Sequence, residues 1–353
     1  MAIRAHVRYS RMLSADDCWT MLNLKSTAEI TEFLKGTSAY EKPLETTISA
    51  TAHRNDLEKA LRSALLEEAG IFMSKLNAGA RRKFFMDWMS WFETEHLKNI
   101  FRWMKTGHID KSELIKIPGS DIVYEDLLKC TSYSELLDAL RPTKYYRPLK
   151  DEFRKLTGHE ADSLFGLETA LDHFVEAQVM YDLADLNEEE RALLTPLFGS
   201  RIDLTNLYTL HRCKWYYNML TEEILSMLIP ASWKVKPKDI KIMANAPSRD
   251  ERYVYFKEHF PVYGQLFDMT RHKPDRELQL ETLIRRYNYF EAQKLFKKGP
   301  PGFHTCVSYF MLKLHEIEDI VRIVEDVRYK HDPHVAAKYL IRPIEGRGFG
   351  WQS

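Results

Sequence analysis

The sequence predicts an all-α protein made of three related helical stretches of about 110 residues each. Two observations lead there. Strand signals are scarce: no run alternates apolar and polar residues between Asn-Gly or Asp-Gly turns, and long segments with a 3.6-residue apolar period dominate. In addition, short blocks recur in the same order at near-constant shifts, which chance matches between amphipathic helices do not produce.

The first block opens each stretch. "AEITEFLKGTSAY" (28–40) is echoed by "SELLDALRPTKYY" (134–146), with Glu29, Leu34, Thr37 and Tyr40 each matched 106 positions later. The corresponding opening of the third stretch, "IMANAPSRDERYVYFKEHFPVYG" (242–264), is the weakest match. The second block starts a long amphipathic helix: "LEKAL" (57–61), "LETAL" (167–171) and "LETLI" (280–284). The third aligns without gaps as "HLKNIFRWM" (96–104), "DLTNLYTLH" (203–211) and "EIEDIVRIV" (316–324). Boundaries near 1–120, 121–235 and 236–353 follow.

In the third block an apolar stripe at i, i+3, i+4, i+7 runs through Leu97, Leu204 and Ile317. A further apolar position (Trp103, Leu210, Ile323) puts contacts on a second side. Asn99, Asn206 and Asp319 occupy one common place amid these apolar residues and mark the repeat. Asn is a poor mid-helix residue because its amide competes for backbone bonds. The expectation is therefore an interior helix whose polar residue bonds a neighbouring backbone. Turns punctuate the pattern at Pro118-Gly119, Pro230-Ala231 and Gly299–Gly302, and the tail "EGRGFGWQS" reads as a frayed end.

Lys+Arg and Asp+Glu are equal at 51, so the net charge of zero argues against nucleic acid as the main partner. Cys18, Cys130, Cys213 and Cys306 are scattered and read as reduced core residues. The opening "MAIRAHVRYSRML" lacks the apolar region of a signal peptide, and no run approaches a membrane span. Catalytic patterns are absent. Glu93 and His96 form one ExxH where a di-iron bundle needs two, so a solvated face is expected. His331 and His334 are too few for zinc, "GRGFG" (346–350) is no phosphate loop, and no GxSxG occurs. No cofactor or metal is expected.

At this point the chain resembles the central-stalk family of V-type and A/V-type rotary ATPases, known as the C subunit in bacterial complexes and the d subunit in eukaryotic ones. The resemblance covers nearly the whole chain. It rests on "YSRMLSADDCWTMLNLKSTAEITEFLKGTSAY", with Arg11, Leu13, Leu22, Leu34, Thr37 and Tyr40 in the family's places, on "LETALDHFVEAQVM", and on "IDLTNLYTLHRCK". Departures are Pro230-Ala231-Ser232 where the family often has Pro-Gly-Gly, Asp319 for the usual Asn, and Glu325 where Arg212 stands in the second stretch. The resemblance implies three helical domains around a pseudo-threefold axis, forming a funnel. It implies a non-catalytic rotor subunit on the cytoplasmic face of the membrane, between the central shaft and the membrane rotor ring, serving ATP-linked proton or sodium transport. Arg102, Lys105, Arg212 and Lys214 lie on the repeated helices and are the candidate partner-binding cations, the other possibility being a solvated helix face. The competing function is a generic α-helical repeat scaffold for an unrelated protein.

Overall fold

The computed structural model describes residues 1–110, 114–155, 163–269 and 276–344. Among them there is no strand. Helices α1 to α6 span Ala2–Tyr9, Ala15–Leu22, Thr27–Lys35, Arg54–Met73, Ala80–Met89 and Trp91–Thr106. Next come α7 to α13 at Tyr124–Leu127, Tyr133–Ala139, Tyr146–Lys155, Ser163–Asp185, Glu188–Trp215, Thr221–Ser226 and Pro237–Asn245. The last, α14 to α18, are Arg249–His259, Pro261–Met269, Arg276–Phe296, Phe303–Arg328 and Pro333–Ala336. The Gly-rich tail lies outside the described residues. By contact the chain forms two compact units, one from Met1–Ala69, Ala192–Leu204 and Asn245 onward, the other from Gly70–Arg191 and Thr205–Ala244. The units interleave along the chain, so they follow contact rather than the boundaries at 120 and 235.

In the first unit α17 is the central helix, with α16 alongside and α1, α2, α3 and α18 packed against it. Its sequence "FHTCVSYFML" is apolar nearly all round, as a helix covered on every side must be. Polar groups carried into such a core need partners. Glu316 has three: the Leu13 N–H at 2.8 Å, the Tyr40 hydroxyl, and the Lys313 ammonium at 2.7 Å. Asp319 accepts from the N–H groups of Ile341 and Arg342 at 2.7 and 2.8 Å. Arg286, fully buried, donates to the carbonyls of Leu340 and Lys338 at 2.9 and 3.1 Å. The segment after α18 is thus held from two helices. In the same unit buried Asp203, on α11, accepts from the Tyr263 hydroxyl at 3.4 Å.

In the second unit α10 packs on α5, α6 and α9. Lys83 on α5 meets Asp182 on α10, which also accepts from Gln178 at 2.8 Å. Gly70 lets Pro118 approach so closely that an added Cβ would sit 3.0 Å from its ring, which fixes the "KIPGSD" turn against α4.

Three helix starts share one local design. Ser26, Ser132 and Ser248 cap α3, α8 and α14, their side chains accepting from the N–H of Glu29, Glu135 and Glu251 at 3.2, 3.3 and 3.2 Å. Glu29 and Glu135 also reach back to the N–H of Lys25 and Thr131, at 2.9 and 2.7 Å.

Candidate functional site

A cleft within the second unit has a volume of about 740 Å³. Helices α6, α10 and α11 form its walls, and the return from α11 to Ile229 forms its edge. The edge is held from behind. Asn206, in the middle of α11 and buried, accepts from the Ile229 N–H at 2.9 Å and donates to the carbonyls of Ile229 and Ala231 at 3.2 Å each. Its amide therefore satisfies the "LIPASW" turn instead of disturbing its own helix. Asp319 does the same with a carboxylate, 22 and 23 residues ahead. Asn99 is half-buried and accepts from Arg102 at 3.4 Å.

Lys98 stands in the cleft wall, its side chain 8% exposed, between Glu95 at 2.9 Å and Asp172 at 2.6 Å. Burial works against its charge, but the Asp172 bond and both carboxylates outweigh this and raise its pKa. Burial lowers the pKa of neighbouring His173, which favours the neutral ring. Around the mouth Phe165 and Tyr217 are 60% and 65% exposed. The cleft thus offers aromatic edges around a neutralised ionic floor. Lys98, Glu95 and Asp172 are tied to one another by these bonds.

Of the four candidate cations, Arg212 is part of this cleft and lies over the Tyr208 ring at 5.7 Å. Arg102 instead grips Glu168 on α10 with two bonds of 2.8 Å. Lys214 donates to the Met219 carbonyl at 3.2 Å and steadies the turn at Asn218, whose φ is 45°. Lys105 is exposed near the end of α6. Of the four, Arg212 alone is among the residues lining the cleft.

The ExxH pair corrects an expectation. Glu93 and His96 do not lie on a solvated face; they are 4% and 7% exposed. Glu93 accepts from the Tyr145 hydroxyl, and the His96 ring is 3.0 Å from the Tyr124 hydroxyl. Helix α6 packs on both α5 and α10, so its charged first turns are covered. His331 pairs with Asp326 at 2.8 Å, and His334 packs on Trp19. Among the described residues no group of three or more His, Cys, Asp or Glu is placed to hold a metal. None of the described helices is long and apolar enough to cross a membrane. "GRGFG" lies outside the described residues. Cys18, Cys213 and Cys306 are buried free thiols and Cys130 is half-buried.

Sequence reasoning missed the tyrosine–carboxylate bonds that follow the capped helix starts: Tyr40–Glu316, Tyr145–Glu93 and Tyr263–Asp203. In each, burial first and the carboxylate second push the phenol pKa up. The signal was present: each tyrosine follows a capping serine (Ser26, Ser132, Ser248) by 13 to 15 residues.

The profile of the family described as ATP synthase (C/AC39) subunit matches residues 3–339. The chain belongs to that family. It is similar to the C subunit of the A-type ATP synthase of Methanothermobacter thermautotrophicus, 23% identical over 350 residues, covering 96% of this chain and 86% of the relative. The same subunit of Methanosphaera stadtmanae is 20% identical with the same coverages, and that of Methanococcoides burtonii is 20% identical over 320 residues, 89% and 85% of the two chains. Membership makes this chain a rotary-ATPase subunit, and the all-helical fold of the described residues agrees with the expected fold class.

Proposed function

We propose that this chain is the non-catalytic central-stalk subunit that couples a rotary shaft to the membrane rotor ring. Three homologous helical domains, near 1–120, 121–235 and 236–353, form a funnel around a pseudo-threefold axis, and ATP-linked proton or sodium transport depends on the torque passing through it. The chain works at the cytoplasmic face, peripheral to the bilayer.

One observation carries this reading. Three tyrosine–carboxylate bonds run in cyclic order through the proposed domains, and a fourth, from Tyr309 to Glu68 at 3.2 Å, joins the third to the first again. Tyr145 of the second reaches Glu93 of the first, Tyr263 of the third reaches Asp203 of the second, and Tyr40 of the first reaches Glu316 of the third. Each of these last three carboxylates lies on the helix that carries a repeat marker, three or six residues before it. A bond between the first member and the last supports a closed arrangement over a linear one. A closed set of three has one axial cavity, so one shaft engages all three at once, and joint engagement resists slippage. Packed helices transmit strain well, which suits an adaptor.

Arg102, Lys105, Arg212 and Lys214 remain the candidate contacts to partners. The test is binding of purified shaft subunits at low and high salt, with ion pumping by complexes assembled without this chain. Binding weakened by salt and loss of coupling are expected. Complexes that lack the chain and still couple ATP hydrolysis to ion transport refute the role.

A further inference from the structure

We propose that helix α1 carries a contact surface for an anionic lipid bilayer. The chain is neutral overall, yet residues 1–15 contain Arg4, Arg8 and Arg11 and no acid; the first is Asp16. The structure sorts these fifteen residues by face. Ala5 is buried, Tyr9 packs on Phe296 with ring centroids 4.3 Å apart, and Arg8 pairs with Glu68. That side docks the helix on the first unit, against α17.

The other side has no such cover. Ile3 and Val7, one turn apart, are 75% and 48% exposed, and Met1 is 42% exposed. At 100° per residue Arg4 flanks this apolar pair, and Arg11 follows in the turn just beyond the helix; both are exposed. Apolar tips beside arginines are the pattern of a helix lying in a membrane interface, where the tips enter the acyl boundary and the guanidinium groups meet headgroup phosphates. Charge selects an anionic partner. The apolar pair selects between a lipid surface and an acidic protein. Ile3 stands almost fully clear of its own protein, so a protein partner would need a groove shaped for it, whereas a bilayer yields to it. The contact is weak alone, since one short helix is a single signal. It adds to whatever holds the protein at the membrane through effective concentration.

This goes beyond the rotor assignment and does not depend on it. The test is flotation of the full chain with vesicles of phosphatidylcholine alone and of phosphatidylcholine mixed with phosphatidylglycerol. Binding to the mixed vesicles only, lost at high salt, is expected. Each arginine contributes about fivefold, the equivalent of roughly 1 kcal/mol per basic residue at an anionic surface. Arg4→Glu with Arg11→Glu therefore lowers binding at least about twentyfive-fold. Ile3→Ser with Val7→Ser lowers it too, at unchanged charge, and serves as a second probe should the charge reversal disturb folding. Equal binding to both vesicle types, or binding unaltered by the serine pair, overturns the proposal. So does capture of the chain by polyglutamate as strongly as by the anionic vesicles, which would mark a purely electrostatic protein contact.

Discussion

Asn206 shows how much one buried amide decides. It gives and takes three bonds with a turn more than twenty residues away, and that turn edges the cleft. Asn206→Leu fits the apolar helix better but leaves the Ile229 N–H and two carbonyls without this partner. A loss of roughly 3 kcal/mol is expected, at about 1–3 kcal/mol for a buried group left unpaired. Denaturant melts check it; an unchanged midpoint would show that water replaces the amide. Asp319 holds the corresponding turn with a charge, and this makes it titrate. Burial dominates and raises its pKa to about 7, although the Arg342 and Ile341 N–H groups oppose this. A raised acid binds more protons folded than unfolded, so its contribution is complete below about pH 4 and is lost as pH climbs towards 7. Stability should fall by a few kcal/mol across that window and become flatter in Asp319→Asn. Glu318 differs in sense: burial raises it, but His315 and Arg285 outweigh burial and hold it at about 2. Its contribution is lost only in stronger acid. Melts from pH 4 to pH 8 on both proteins separate the two residues. That Asn206 would seek a backbone was legible from residue type and periodicity. Which backbone was not, because helical period carries no information on a partner twenty residues away.

Helices announced themselves well. Leu204 and Leu207 of the second stripe are fully buried while Tyr208, which lines the cleft, and His211 are half-buried, and α17 is the apolar core element its sequence suggests. The third stretch was hard to read at its opening, since Tyr263 sits in a helix, α15, where the first stretch has turns. Its start is nevertheless marked by Ser248 and Glu251, a pair that local hydrogen bonding explains and apolar matching overlooks. Ser248→Ala should cost about 1 kcal/mol, as at Ser26 and Ser132. Comparable losses in all three variants, read by thermal melts, would support one shared helix start; a silent Ser248 variant would sever the third from the others. The ExxH misreading has the opposite origin. Charge on a helix usually means solvent, and only packing on both sides of α6 reverses that.

At the scale of the molecule, the family and the helical class were readable from ordered blocks, whereas the partner surfaces were not. Arg102 and Lys214 spend their charge on Glu168 and the Met219 carbonyl, and a sequence does not distinguish an engaged cation from a waiting one. The cyclic bonds also differ in one respect. Tyr145 and Glu93 are 52 residues apart and Tyr263 and Asp203 are 60 apart, but Tyr40 and Glu316 are separated by 276. In a closed arrangement the first two junctions are reinforced by continuous polypeptide. The third has no such continuity and is held by packing instead: Glu316 with Leu13 and Tyr40, Arg342 on the Leu13 carbonyl, Tyr9 on Phe296, and α1, α2 and α3 against α17. The first helices of the chain therefore cannot bury their inner faces until α17 has been made, so this core is the last to be completed.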